Sequence, residues 1–163
     1  FVNFKSALLL TGDAIPEGHY EAENMRATVV PMRNTFFATY LAGVAESIEY
    51  DAIALGVHQG DHHIYPDCRK EYIKALDSLI YLATDHKIEV LTPVLDMDKG
   101  SMLPKGLESN APYHLTRTCY QQQEISCGRC GSCTERIEGF QNNNIIDPIS
   151  YDIDIDWYGC REI

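Results

Sequence analysis

The amino-acid sequence predicts an α/β fold, in which helices flank an open and mostly parallel β-sheet, followed by a cysteine-rich loop region near the C-terminus. Two apolar patterns favour this fold: helical spacing recurs over residues 34–48 and 70–85, and a short apolar run typical of a buried parallel strand follows each helix. A group of four closely spaced cysteines after residue 118 indicates the loop region. With 163 residues and 45% apolar residues, the chain is long enough for one domain, or for one domain with a small appendage.

The first half of the chain contains the first predicted strand and helix. Ala27–Val30 predicts a short strand that ends at Pro31, because proline removes a backbone donor and constrains the residue before it. An amphipathic helix is expected to begin at Asn34 or Thr35, both suitable N-cap residues, and to continue to Ile48. The apolar positions that define this helix are Phe36, Phe37, Tyr40, Leu41, Val44, Ala45 and Ile48.

The following elements continue the alternation of strands and helices. Residues 51–57, DAIALGV, form a nearly continuous apolar run that predicts a strand buried on both faces. A helix is expected over residues 70–85, and residues 88–95, IEVLTPVL, predict another strand, so the order favours right-handed crossovers between parallel strands. After Met97, two glycines and a proline favour only a short or broken helix. The alternating tail at 152–157 predicts either an edge strand or a solvated acidic segment.

Charge and hydropathy exclude two classes of function. The chain has 13 Lys and Arg residues against 24 Asp and Glu residues, a net charge of −11, so it repels phosphate backbones and we expect no direct contact with nucleic acid. Its apolar stretches are far shorter than the roughly 20 residues that span a bilayer, so we expect no transmembrane helix.

Four of the six cysteines have the spacing of a metal site. They follow the order C-x7-C-x2-C-x2-C, and the glycines between them give the backbone freedom to bring four thiolates to one ion. Four sulfur ligands without a fifth candidate nearby predict a closed, tetrahedral and structural Zn²⁺ site. An iron–sulfur cluster, disulfides and unconnected free thiols are the alternatives. The predicted ligands are Cys119, Cys127, Cys130 and Cys133.

A polar loop follows the predicted strand at residues 51–57. Residues 56–69, GVHQGDHHIYPDCR, place many ionisable side chains at the carboxyl end of this strand, where ligands bind in open α/β sheets. Each has an alternative interpretation: Asp61 could only cap a turn, Arg69 could pair with a surface carboxylate, and Cys68 could simply be buried. The three histidines of the loop are also potential metal ligands, although they lack helical spacing.

The loop and the cysteine cluster together resemble the QueC family, the 7-cyano-7-deazaguanine synthases. These are zinc-containing members of the adenine nucleotide alpha hydrolase-like superfamily. The resemblance implies a partial nucleotide and substrate domain over residues 1–111 and a zinc-binding region and tail over residues 112–163. The stretches that carry it, in the family's order, are IPEGHYEAENMRATVVPMRN (15–34), ESIEYDAIALGVHQGDHHIYPDCR (46–69), PYHLTRTCY (112–120), CGRCGSCTERIEGF (127–140) and DPISY (147–151).

The resemblance implies a ligase reaction early in queuosine biosynthesis. ATP, with Mg²⁺, activates the carboxylate of 7-carboxy-7-deazaguanine as an adenylate, ammonia displaces AMP to give the amide, and a second activation dehydrates the amide to the nitrile. It also implies a cytoplasmic homodimer and places the four cysteines at the family's zinc positions. Residues on family motifs near the substrate and nucleotide are Asp61, His62, Asp67 and Arg69, predicted to be catalytic, and Arg33, Asn34, His58 and Gly60, predicted to bind substrate or nucleotide.

One departure from the family pattern concerns phosphate binding. Such enzymes carry an N-terminal strand, a Ser-Gly-Gly-x-Asp-Ser loop and a helix that bind pyrophosphate, and this sequence contains no such loop and no Gly-Gly pair. We therefore expect the chain, which begins with Phe1 rather than Met, to be the C-terminal portion of a longer enzyme, inactive by itself and with an exposed strand edge and apolar surface. The alternatives are a zinc-stabilised, non-catalytic partner subunit and a diverged relative that attaches a deazapurine to a macromolecule.

Overall fold

The computed structural model of the chain describes residues 5–9, 14–121 and 123–162. The chain divides into two compact units. One, which we call the sheet unit, is Val30–Asp96, and the other, which we call the cysteine unit, is Phe1–Val29 together with Met97–Ile163. The functional division predicted between residues 111 and 112 stays a prediction.

The sheet unit confirms the predicted α/β pattern. β1 and β2 pair in parallel, with Ala52 opposite Glu89 and Ala54 opposite Leu91, and α2 lies between them in the chain. Both strands are shorter than predicted, and Pro93, which has no N–H to donate, follows the end of β2. The elements are α1 (Arg33–Ser47), β1 (Ala52–Ala54), α2 (Lys70–Ala83) and β2 (Glu89–Leu91).

The strand predicted at Ala27–Val30 is wrong. Glu23–Thr28 forms a 3₁₀ helix instead, and the Thr28 hydroxyl donates a hydrogen bond to the Met25 carbonyl oxygen at 2.7 Å. Because this short segment satisfies its backbone groups locally, it needs no neighbouring strand.

The structure confirms the predicted helix α1 but places its large apolar residues outside the core. The core of the sheet unit takes only small residues from α1, namely Ala38, Ala42 and Ala45. The large apolar side chains are mostly exposed, and Tyr40 is 77% exposed. Small residues allow α1 to pack closely on its neighbours, which is why they, rather than the large residues, occupy the contact. The other buried residues of this core are Ile53, Leu76, Ile80 and Ile88.

The cysteine unit supplies two further α-helices. The first is short, as expected, and it contains Pro104 without a break. The Asp98 carboxylate accepts a hydrogen bond from the Ser101 N–H at 2.7 Å, and this N-cap supports the helix at its start. The helices are α3 (Lys99–Glu108), a 3₁₀ helix at Tyr113–Leu115 and α4 (Gly131–Asn142). The apolar core consists of Leu103, Phe140 and Ile145.

The tail forms no regular strand within its described residues. Isolated parallel bridges join Ser126 to Tyr151 and Ile145 to Arg161. The acidic side chains of residues 152–156 are exposed, in agreement with the solvated alternative rather than with an edge strand. In the part of the chain that the structure describes, no helix combines the length and the apolar character needed to cross a bilayer.

Candidate functional site

The four predicted metal ligands converge in the cysteine unit. Their Sγ atoms all lie within 4.8 Å of one another, and those of Cys127 and Cys133 are 3.9 Å apart. Three of the four side chains are buried, and Cys119 is partly exposed. Among the described residues, this is the one group of three or more His, Cys, Asp or Glu side chains with metal-site spacing, so the loop histidines do not form a second one.

Tight turns of the backbone bring these thiols together. Cys127 and Cys130 flank Gly128, whose φ of +70° lies in the left-handed region that favours glycine. A Cβ atom at Gly128 would also lie 2.6 Å from Ile153 Cγ1, so the turn requires glycine for space as well as for conformation. Cys133 lies in the first turn of α4.

Backbone N–H groups surround two of the sulfur atoms. Cys119 Sγ accepts hydrogen bonds from the N–H groups of Gln121 at 3.4 Å and Cys127 at 3.3 Å. Cys127 Sγ accepts from Arg129 at 3.4 Å and Cys130 at 3.3 Å. Burial raises the pKa of the Cys127 thiol, and the hydrogen bonds from the N–H groups of Arg129 and Cys130 oppose this increase.

The donor set fits a tetrahedral zinc ion. Four sulfur ligands about 2.3 Å from a central ion lie about 3.8 Å from one another, close to the 3.9 Å between the Sγ atoms of Cys127 and Cys133. A hydrogen bond from the Cys133 thiol lowers the pKa of Cys130 to about 5, and the same hydrogen bond raises the pKa of Cys133. The cluster is therefore compatible with zinc, which would hold the turns together without redox chemistry.

In the sheet unit, the polar loop is anchored to the start of α1. The Asp67 carboxylate accepts a hydrogen bond from the backbone N–H of Asn34 at 3.0 Å. The Asn34 side-chain amide donates to the Asp67 carbonyl oxygen at 3.0 Å and to Cys68 Sγ at 3.2 Å. Met32, the residue before α1, offers no capping side chain, so Asp67, which is 8% exposed, caps the helix from the loop.

Two further contacts organise the middle of the loop. His58 Nε2 and Asp61 Oδ2 are 3.4 Å apart, and Arg69 Nε donates to the His62 carbonyl oxygen at 3.0 Å. The imidazole Nε2 of His62 is buried and has no hydrogen-bond partner among the described residues. His62 thus offers a polar atom that a substrate could use.

The remaining loop residues lie near the same segment. The Arg33 guanidinium lies 5.9 Å from the centre of the Tyr65 ring, within the range of a cation–π contact. Gly60 lies in a 3₁₀ helix at Gln59–His62. Burial raises the pKa of Cys68 to about 12, which supports the alternative that this thiol is buried rather than nucleophilic. The catalytic and binding roles of the eight predicted residues stay predictions.

Three residues without a predicted role accompany the cysteines. Arg136, Asp147 and Tyr151 are joined by hydrogen bonds, and Tyr151 packs against the buried cysteines. All three residues lie in stretches that carry the family resemblance, Arg136 in 127–140 and the other two in 147–151. Their spacing in the sequence does not indicate the hydrogen bonds between them.

The fold and the site define the class of protein. It is an α/β protein with a polar loop after a parallel strand and a four-cysteine cluster compatible with a metal ion. The model of the family described as "Queuosine biosynthesis protein QueC" matches residues 2–144. The chain therefore belongs to the QueC family.

The curated relatives agree with this family. The 7-cyano-7-deazaguanine synthase of Marinomonas sp. (strain MWYL1) is 46% identical over 144 residues, which are 88% of this chain and 66% of that protein. The 7-cyano-7-deazaguanine synthase 2 of Colwellia psychrerythraea is 46% identical over 151 residues, 92% of this chain and 69% of that protein. The synthase of Caldicellulosiruptor bescii is 44% identical over 158 residues, 96% of this chain and 72% of that protein. The chain thus spans about two thirds of the length of these relatives.

Proposed function

We propose that this chain is part of a 7-cyano-7-deazaguanine synthase, an ATP-dependent ligase of queuosine biosynthesis. The observation that carries the proposal is the family match over residues 2–144. Relatives that bear the name of this synthase, at 44–46% identity, support the same reaction. In this proposal Zn²⁺ occupies the four-cysteine cluster and has a structural role.

The proposed substrates are 7-carboxy-7-deazaguanine, ammonia and ATP with Mg²⁺. The substrate carboxylate becomes an adenylate, ammonia displaces AMP to form the amide, and a second activation removes the amide oxygen to leave the nitrile. These are small molecules, and a net charge of −11 disfavours nucleic acid as a direct partner. A site that needs free thiolates and ATP suits a cytoplasmic setting.

Within the polar loop, we assign the proton transfers to Asp61 and His62 rather than to Asp67. The Asp67 carboxylate is occupied by the N–H of Asn34, whereas the His62 Nε2 atom has no partner among the described residues. Arg33 and Arg69 carry the positive charge that a carboxylate or phosphate group requires.

We further propose that the pyrophosphate-binding loop lies in the part of the relatives that this chain does not span. Adenylation depends on stabilising charge at the transferring phosphoryl group, so the chain alone should form no nitrile. The exposed apolar side chains of α1 and the absence of charged side chains on β1 support the packing of a further strand and helix on the sheet unit. A homodimer is the assembly we expect for the complete protein.

The test compares this chain with the same chain extended at its N-terminus by the corresponding segment of the Marinomonas relative. With Mg²⁺, ATP and ammonia, the extended protein should convert 7-carboxy-7-deazaguanine to the nitrile and release AMP, and the chain alone should not. Asp61→Asn should lower kcat in the extended protein. Turnover by the chain alone would contradict the proposed division of the site. A folded, metal-loaded extended protein without turnover would contradict the proposed reaction.

A further inference from the structure

The cysteine unit contains a buried group of polar side chains that the proposed reaction does not use. Arg136 and Asp147 are 5% and 3% exposed. Arg136 Nε and Nη2 donate to the two carboxylate oxygens of Asp147 at 2.5 and 2.8 Å. The Tyr151 hydroxyl donates to Asp147 Oδ2 at 2.7 Å. We call these three residues the Arg136 network.

The Arg136 network holds the segment that leads to Cys119. Arg136 Nη1 donates to Thr116 Oγ1 at 2.7 Å, and Nη2 donates to the Tyr113 carbonyl oxygen at 3.2 Å. Arg136 itself lies on α4, the helix whose first turn contains Cys133. A single guanidinium therefore joins two of the segments that supply thiols.

The same network reaches the segment of Cys127 through Tyr151. Tyr151 forms a parallel bridge with Ser126, the residue before Cys127. The next residue, Asp152, donates its backbone N–H to the Ser126 carbonyl oxygen at 2.8 Å. Tyr151 also packs against the buried cysteines, and its hydroxyl donates to Asp147. The Tyr151 side chain therefore connects the cluster to Asp147.

We infer that Arg136, Asp147 and Tyr151 are positioning residues for the metal ion, which hold three chain segments at the separation that four thiolates need. This inference rests on the metal site of the proposed function. A buried ion pair contributes little net stability, because removing two charges from water opposes their attraction. Such a pair is effective in fixing the geometry of metal ligands. Substitution of residues that orient the ligands typically lowers metal affinity by about 10–100-fold.

The test measures metal affinity in the full chain. Tyr151→Phe removes one hydroxyl and keeps the ring, and Asp147→Asn removes the negative charge that pairs with Arg136. The matched controls are Tyr158→Phe, at a residue that is 96% exposed, and Asp154→Asn, at an exposed carboxylate. Competition with a chromophoric chelator gives the Zn²⁺ affinity, and the visible spectrum of the Co²⁺-loaded protein reports ligand geometry.

Both network variants should bind Zn²⁺ about 10–100-fold more weakly than the wild-type chain. Their Co²⁺ spectra should change, and the two controls should match the wild type. Unchanged affinity and spectra in Tyr151→Phe and Asp147→Asn would overturn the inference, even if their melting temperatures fell. If Asp147→Asn does not fold, Tyr151→Phe alone decides the question. Failure of the wild-type chain to bind Zn²⁺ would instead overturn the metal site and the inference together.

Discussion

Asp67 shows how a single side chain in the polar loop can support the fold. Its carboxylate caps α1, while Asn34 returns two hydrogen bonds to the loop. A polar loop at this place could be predicted, because the apolar run before it ends abruptly and ionisable residues follow. The cap could not be predicted, because it joins residues 33 positions apart in the chain.

The capping role predicts a difference between two substitutions of Asp67. Asp67→Ala leaves the first turn of α1 without an acceptor and should lower the free energy of unfolding by about 1–2 kcal/mol. Asp67→Asn keeps an acceptor and should cost less. The control is Asp96→Ala, which removes an ion pair with Lys70 in which both side chains are exposed and should have almost no effect.

Urea titration followed by circular dichroism measures these differences. Equal stability of Asp67→Ala and the wild type would show that α1 does not depend on this cap. In the extended protein, Asp67→Asn should retain turnover, whereas a catalytic Asp67 would lose it.

The buried Cys68 thiol should be chemically silent at neutral pH. Because burial raises its pKa to about 12 from the ordinary 9.0, the folded protein holds the proton over a range in which the unfolded chain releases it. The contribution of Cys68 to stability is therefore complete below about pH 9 and falls as the pH rises toward 12. With the four cluster thiols occupied by metal, Ellman's reagent should react rapidly with the partly exposed Cys160 alone. A rapidly reacting thiol that Cys68→Ser removes would contradict this.

At the scale of elements, one side chain that follows α4 donates hydrogen bonds to both α3 and α4. Pro104 has no N–H to donate to the Gly100 carbonyl oxygen one turn earlier. The Asn143 side-chain amide donates to that oxygen at 2.8 Å and to the Gly139 carbonyl oxygen at 2.8 Å. In the sequence alone Pro104 predicts a weakened helix, because the compensating donor lies 43 residues away from Gly100.

Asn143→Ala should lower the free energy of unfolding by about 1–3 kcal/mol, because it removes a hydrogen-bond donor from the Gly100 and Gly139 carbonyl oxygens. The neighbouring, exposed Asn142→Ala is the control. Pro104→Ala restores the missing N–H, so Asn143→Ala should cost less in that background. Thermal unfolding of the single and double variants measures the coupling, and purely additive effects would contradict the compensation.

In α1 the apolar pattern of the sequence predicts the helix but not the face that packs in the core. Its periodicity correctly predicted a helix, but periodicity cannot tell which of two apolar faces packs inward. The alanine face forms the core, and the face with large residues is exposed in this chain.

At the scale of the whole molecule, closely spaced features could be predicted and distant ones could not. The cysteine cluster follows from the sequence because three of its members lie within seven residues and glycine supplies the required turn. The parallel pairing of β1 and β2 follows from the alternation of helices and strands. The Arg136 network was not visible, because it joins residues from 113 to 151 through buried hydrogen bonds.

The metal content of the purified chain tests the central claim, that the four cysteines hold a structural zinc ion. Thiolate binding contributes roughly 10–16 kcal/mol in small structural sites, so chelation or Cys130→Ser should unfold at least the C-terminal third of the chain. Elemental analysis should find one zinc per chain, and circular dichroism should show loss of helix on chelation. The control variant Cys160→Ser should keep both the zinc ion and the helix content. A folded chain that contains no metal would contradict the account.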